Sequence, residues 1–113
     1  MADKINPHIK QLGVGIKCKC ADYDYSGLLE LLKIIAEANR LRIICFLKRK
    51  ERCVCEIVEA LGVPHNLASH HLKLLKSAGL LTSLRQGKYI FYKINNKGLN
   101  SFLSQIRQAV GRS

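Results

Sequence analysis

The sequence predicts a mainly α-helical domain carrying a β-hairpin wing, a winged helix-turn-helix that assembles as a homodimer. Three observations carry that expectation. Two short helical stretches meet at Gly62, β-forming residues run from Leu80 to Ile94 around Gly87, and the 113-residue chain has a net charge of +11. A hydrophobic content of 48% with 24% charged residues is enough for one core and not for two. No run approaches the ~20 apolar residues of a membrane span, and Met1-Ala2-Asp3-Lys4 is not followed by an apolar signal core. The expected location is therefore the cytoplasm, with no membrane partner.

The domain is expected to span residues 28–113, preceded by an arm of residues 1–27 that carries Cys18-Lys19-Cys20. In the arm, Ile5, Ile9, Leu12 and Ile16 recur at steps of three and four and predict a short amphipathic helix, weakened by Gly13 and Gly15. Leu28 to Ala38 has apolar residues around most of its circumference, which predicts a central, buried helix. Asn39 is placed to cap the next helix, from Arg40 to about Lys48, with Leu41, Ile44, Cys45 and Leu47 on its inner stripe.

Val54 to Leu61 predicts a fourth helix, ended by Gly62. Pro64 suits the first turn of a fifth, where its missing N–H costs nothing, and Gly79 stops that helix after Ala78. These two form the helix-turn-helix. Leu80–Leu84 and Tyr89–Ile94 predict the hairpin, with Arg85-Gln86-Gly87-Lys88 at its bend. On the last helix Leu99, Phe102, Leu103, Ile106 and Val110 make one apolar stripe. So small a domain leaves that stripe little to cover, so Leu99, Phe102, Leu103 and Ile106 are expected at a two-fold interface.

An excess of 19 Lys and Arg over 8 acidic residues points to a polyanionic partner, because neutralising phosphates releases counterions. On the helix after Pro64, Ala68, Leu72 and Leu75 should face inward, leaving Asn66, Ser69, His70 and Lys73 outside. Asn66, Ser69 and His70 occupy the first two turns, the part that meets base edges in the major groove of double-stranded DNA. Lys73 and Lys76 suit phosphates. Arg85 and Lys88 flank the hairpin tip, with Tyr89 beside them, and can reach phosphates or the minor groove.

Leu61-Gly62-Val63-Pro64, Ser69-His70-His71-Leu72-Lys73, Ala78-Gly79-Leu80-Leu81 and Arg85-Gln86-Gly87-Lys88 resemble the ArsR/SmtB family of winged-helix metal sensors, over about Leu28 to Ile94. The resemblance implies a homodimeric repressor that leaves its operator when an inducer binds. Pro64 departs from it, standing where family members often have a capping Ser or Thr, and Leu67 is an unusual surface residue on that helix.

Five cysteines in a reducing compartment are better read as metal ligands, redox sensors or buried groups than as a disulfide frame. Cys53-Val54-Cys55 is similar to the inducer-site signature of the arsenite and cadmium/lead branches. Residues two apart on an ideal helix point about 200° apart around the axis, so closing both thiolates on one ion should unwind the start of the fourth helix. The helix dipole, with Arg49, Lys50 and Arg52, favours the thiolate that soft metals bind.

The position where the arsenite branch often has a third cysteine is Val58 here, so further donors must come from elsewhere. Cys18 and Cys20 are the natural ones, and the resemblance to the cadmium/lead branch implies the same joining of an N-terminal pair to the Cys-Val-Cys helix. Four thiolates suit Cd(II) or Zn(II), and three suit Pb(II) or As(III). Cys45 is expected in the core, His71 at its edge, and His8 and His65 in solvent. Lys97 to Ser113 contains no His, Asp, Glu or Cys, so a second sensing site on the last helix is not expected. No nucleophile-base-orienter set is evident, and no enzymatic activity is expected. A redox-responsive repressor, in which Cys53 or Cys55 oxidises with Cys18 or Cys20, is the alternative; a metal-buffering or protein-binding module that makes no use of DNA is a third reading.

Overall fold

The computed structural model describes residues 24–111. The predicted N-terminal helix, Cys18 and Cys20 lie outside the described residues. Helices α1 (Ser26–Ile35), α2 (Ala38–Leu47), α3 (Val54–Leu61), α4 (His65–Ser77) and α5 (Asn96–Val110) surround one core, and strands β1 (Arg52–Cys53), β2 (Leu81–Gln86) and β3 (Tyr89–Ile94) form an antiparallel sheet in the order β1-β3-β2. None of these helices is long and apolar enough to cross a membrane. This is the expected winged helix-turn-helix, with α3 and α4 as the helix pair and β2–β3 as the wing.

Helix α1 begins at Ser26, so the expected boundary between residues 27 and 28 falls inside it. The expectation of a central, buried helix is corrected. Leu28 enters the core and Leu31, Ile34 and Ile35 pack against it, but Leu29 is 51% exposed and Leu32 37%. The chain covers only one flank of α1, through α2, α4 and α5.

Helix α2 is capped by Glu37 and not by Asn39. The Glu37 backbone is extended and its carboxylate accepts from the Arg40 N–H at 2.9 Å, whereas Asn39 Oδ1 accepts from Arg42 Nη1. Ile43 and Leu47 are buried on its inner side, and Cys45, expected there, is exposed. The inward stripe is set by Ile43 and Leu47 at spacing four, and Cys45, halfway between them, faces away.

Helix α3 matches its expected span and stops at Gly62, whose φ of +67° is the left-handed turn that favours glycine. Helix α4 starts after Pro64, which offers no side-chain cap. Ala68, His71, Leu72 and Leu75 face the core. His71, only 5% exposed, accepts from Arg40 Nε at Nδ1 (3.1 Å), and Arg40 also donates to the Ile34 carbonyl at 3.0 Å. One guanidinium thereby fastens α4 to the α1–α2 junction.

The hairpin closes tighter than expected. Arg85 and Gln86 belong to β2, Gln86 pairs with Tyr89, and only Gly87-Lys88 form the turn. Asn95 then caps α5 through Gly98 N–H, while its Nδ2 donates to the Gly79 carbonyl at 2.9 Å. A methyl group on Gly98 would overlap that same carbonyl, so the first turn of α5 and the end of α4 meet backbone to backbone.

Candidate metal centre and nucleic-acid interface

The thiol pair sits where three elements converge. Cys53 ends β1 and is at the same time the N-cap of α3, with φ −70° and ψ 150°. Its Sγ accepts from the Cys55 N–H at 3.3 Å, and its own N–H donates to Glu56 Oε1 at 2.9 Å. These bonds form a capping box with sulfur in the usual place of a hydroxyl. Glu56 Oε2 meets Arg52 Nη1 at 3.5 Å, and the Arg52 guanidinium stacks on Phe46, 4.4 Å from the ring centroid. The Cys53 N–H bond, the largest cause, holds the Glu56 carboxyl below its ordinary value, with Arg52 and Lys50 adding to it against partial desolvation.

This geometry corrects the premise of the expected unwinding, that both cysteines belong to the helix. Cys53 lies outside the helix on extended backbone, so the 200° separation does not apply. The Cα atoms of Cys53 and Cys55 are 5.3 Å apart and their sulfurs pair with each other while α3 stays intact. Cys53 is buried and Cys55 exposed. Among the described residues no group of three or more His, Cys, Asp or Glu is arranged to hold a metal ion. The described residues bring two sulfurs together at this place, donors right in kind for a soft ion.

Strand β1 is the element that sequence reading missed. Arg52 pairs with Tyr92 and Cys53 with Phe91, so the thiol site shares a hydrogen-bonded ladder with the wing. Two residues are too few for a period-two pattern; the only available signal was the β-branched and aromatic richness of Tyr89–Ile94, which can pair on both sides.

Of the expected DNA-contacting residues, Asn66, His70, Lys73, Lys76, Arg85, Lys88 and Tyr89 are exposed and Ser69 is half-buried. Lys76 Nζ donates to Ser83 Oγ at 2.7 Å and ties α4 to β2. Arg85 Nε donates to the Gly87 carbonyl, and the Lys88 ammonium stands 5.7 Å from the Tyr89 ring centroid. His65, expected in solvent, is exposed and has Nδ1 3.5 Å from Ser69 Oγ. A cleft of about 340 Å3 separates α4 from the wing; Cys53, Val54 and Cys55 line it together with His65, Ser69, Lys73, Lys88 and Tyr89. Cys53 and Cys55 from one predicted set and Ser69, Lys73, Lys88 and Tyr89 from the other therefore line one cavity.

On α5, Leu103 is 46% exposed and Val110 79%, whereas Phe102 is buried in its own chain and Leu99 and Ile106 pack against that core. Leu29 on α1 and Leu103 on α5 leave apolar surface on two helices that touch each other.

The fold and the arrangement of exposed polar and basic side chains along α4 and the wing define a winged helix-turn-helix protein. Residues 37–83 match the family described as bacterial regulatory protein, arsR family. The chain is 35% identical over 81 residues to the cadmium resistance transcriptional regulatory protein CadC of Listeria innocua, covering 71% of this chain and 68% of that one. It is 45% identical over 65 residues to the HTH-type transcriptional repressor SmtB of Mycobacterium tuberculosis, covering 58% of this chain and 48% of that protein, so it spans about half the length of this relative. Among solved structures it resembles the homodimeric winged helix-turn-helix DNA-binding domain of a possible ArsR-family regulator from Mycobacterium bovis, with a TM-score of 0.63, 29% identity, and coverage of 82% of this chain and 87% of that one. The chain belongs to the ArsR/SmtB family of helix-turn-helix regulators.

Proposed function

We propose that this protein is a transcriptional repressor that binds double-stranded operator DNA as a homodimer and releases it when a thiophilic ion is captured by cysteine thiolates. The ion is Cd(II), Pb(II), Zn(II) or As(III), held by Cys53 and Cys55 with Cys18 and Cys20 completing the set, as in the cadmium/lead branch. One observation carries the reading: the two sulfurs meet at the N-cap of the first helix of the helix-turn-helix, on a strand paired with the wing. An ion bound to Cys53 takes the sulfur away from the Cys55 N–H and pulls on the β1–β3 ladder, so the wing and α3 both feel it. Coupling of about 1–3 kcal/mol between ion and DNA is enough for regulation.

The test is operator binding followed by fluorescence anisotropy at fixed salt. Cd(II), Pb(II), Zn(II) or As(III) should lower affinity by about 5- to 150-fold, in line with that coupling. Cys53→Ser and Cys55→Ser should remove the response and leave ion-free binding close to wild type. Unchanged affinity with all four ions sinks the proposal.

A second reading is favoured by the pairing of the two sulfurs. Two thiols and a peroxide give the Cys53–Cys55 disulfide and water, and the bond then acts as the signal. Peroxide treatment should remove two hydrogens from the peptide containing both cysteines and change operator affinity reversibly on reduction.

A further inference from the structure

We infer that Leu67, on the first turn of α4, is a specificity-determining residue that reads one thymine in each operator half-site by covering the 5-methyl group of that base in the major groove. The inference rests on the reading of the protein as an operator-binding homodimer and names one base contact within it.

Position is the first argument. Ala68, His71, Leu72 and Leu75 turn into the core, whereas Asn66, His70 and Lys73 are exposed. Leu67 precedes His70 by three residues and so stands about 60° from it around the helix axis, on the flank opposite the His65, Ser69 and Lys73 that line the cleft beside the wing. It is 41% exposed and is not one of the described residues that pack against the core. A helix laid in the major groove brings this turn to the base edges, its flanks included.

Chemistry is the second. Asn66 and His70 can exchange hydrogen bonds with a base, but a leucine can only bury apolar surface. The major-groove edges of the bases present nitrogen, oxygen and N–H groups, and the thymine methyl is the one apolar group among them. Over any other edge Leu67 would strip water from a polar group and return no hydrogen bond. Asn66, immediately before it, suits the paired acceptor and donor of adenine, so the turn as a whole favours A·T pairs. Charge is the third. A chain of net charge +11, with Lys73 exposed on the same helix, draws a polyanion to this face. In this Leu67 differs from Leu29 and Leu103, whose apolar surface lies on two helices that touch each other and suits a second protein copy.

Duplexes selected from a randomised pool by the reduced full-length chain, with no ion added, supply the operator. Each thymine is then replaced in turn by deoxyuridine, which removes the methyl and nothing else. Affinity should fall about fourfold at one thymine of each half-site, and about 15-fold when both are replaced, as expected for one buried methyl apiece. Leu67→Ala, which keeps a good helix former in α4, should bind the thymine duplex at least as weakly as wild type binds the doubly replaced one, and should no longer distinguish thymine from deoxyuridine at those two positions. Leu67→Met keeps an apolar contact and should retain the discrimination. The absence of any thymine whose methyl matters, or methyl sensitivity undiminished in Leu67→Ala, overturns the inference and leaves the operator reading in place. Conversion of Leu67→Ala to monomers in sedimentation velocity overturns it as well, since the residue then belongs to a contact between copies. A pool from which no sequence is enriched overturns the operator reading and this inference with it.

Discussion

Cys53 has two backbone roles besides its sulfur chemistry, closing β1 and capping α3, and Glu56 is the residue that holds it in the second. The Glu56 carboxyl is depressed below its ordinary 4.5 chiefly by the Cys53 N–H. Its contribution to stability is therefore fully present above that value and is lost as pH falls through the lower folded one. Glu56→Gln keeps an acceptor and discards the charge, so the difference in melting temperature between wild type and Glu56→Gln should shrink steadily as pH drops below about 4.5; a difference constant with pH would refute the assignment. Tyr92 behaves in the opposite sense. Burial raises its hydroxyl above 10.0, so the stability it provides persists below that value and is lost as pH climbs through the raised one. Tyr92→Phe should flatten the alkaline arm of the stability profile measured by urea unfolding. The sequence made the place of the Cys53–Cys55 pair at the start of α3 legible, because the apolar pattern of the helix begins at Val54. It could not show the extended backbone at Cys53, because a cap conformation depends on β1 finding Phe91 and Tyr92 nearly forty positions later.

At the scale of elements, α3, α4 and β3 were legible because their signals are local: Gly62 and Gly79 as stops, Pro64 as a start, and a β-rich run after Lys88. The cap of α2 and the burial of α1 were not. Glu37 and Asn39 compete for the same role, and which one wins depends on the turn at Ala36, while the outer flank of α1 looks like core in a one-dimensional pattern. The junction of α4 and α5 was equally hidden, since nothing in the sequence announces that Gly98 lies against Gly79. Gly98→Ala should force the two backbones apart and cost about 1–3 kcal/mol in chemical unfolding, the range for inserting a methyl into packed space. Because that carbonyl follows the recognition helix directly, operator affinity should fall in the same variant.

For the whole molecule, charge and symmetry decide the behaviour. The exposed Lys73 and Lys88 line the cleft and Arg85 is exposed on β2 of the wing, so the proposed operator binding should weaken steeply with salt. On the proposed reading, in which a homodimer sets Lys88 of each protomer on a phosphate, Lys88→Ala should make the slope of log affinity against log salt shallower by about 2. Leu103→Glu places a charge on the exposed flank of α5 and should yield monomers in sedimentation velocity, with DNA binding lost at concentrations where wild type binds. The two-residue strand β1 has a further meaning for anyone who wishes to retune the protein. On the proposed reading, detector and reader are stitched edge to edge through β1 and β3, so changes that alter ligand preference at positions 52–56 should also shift promoter preference, and selection for a new chemical trigger should be run together with selection for grip on the target site.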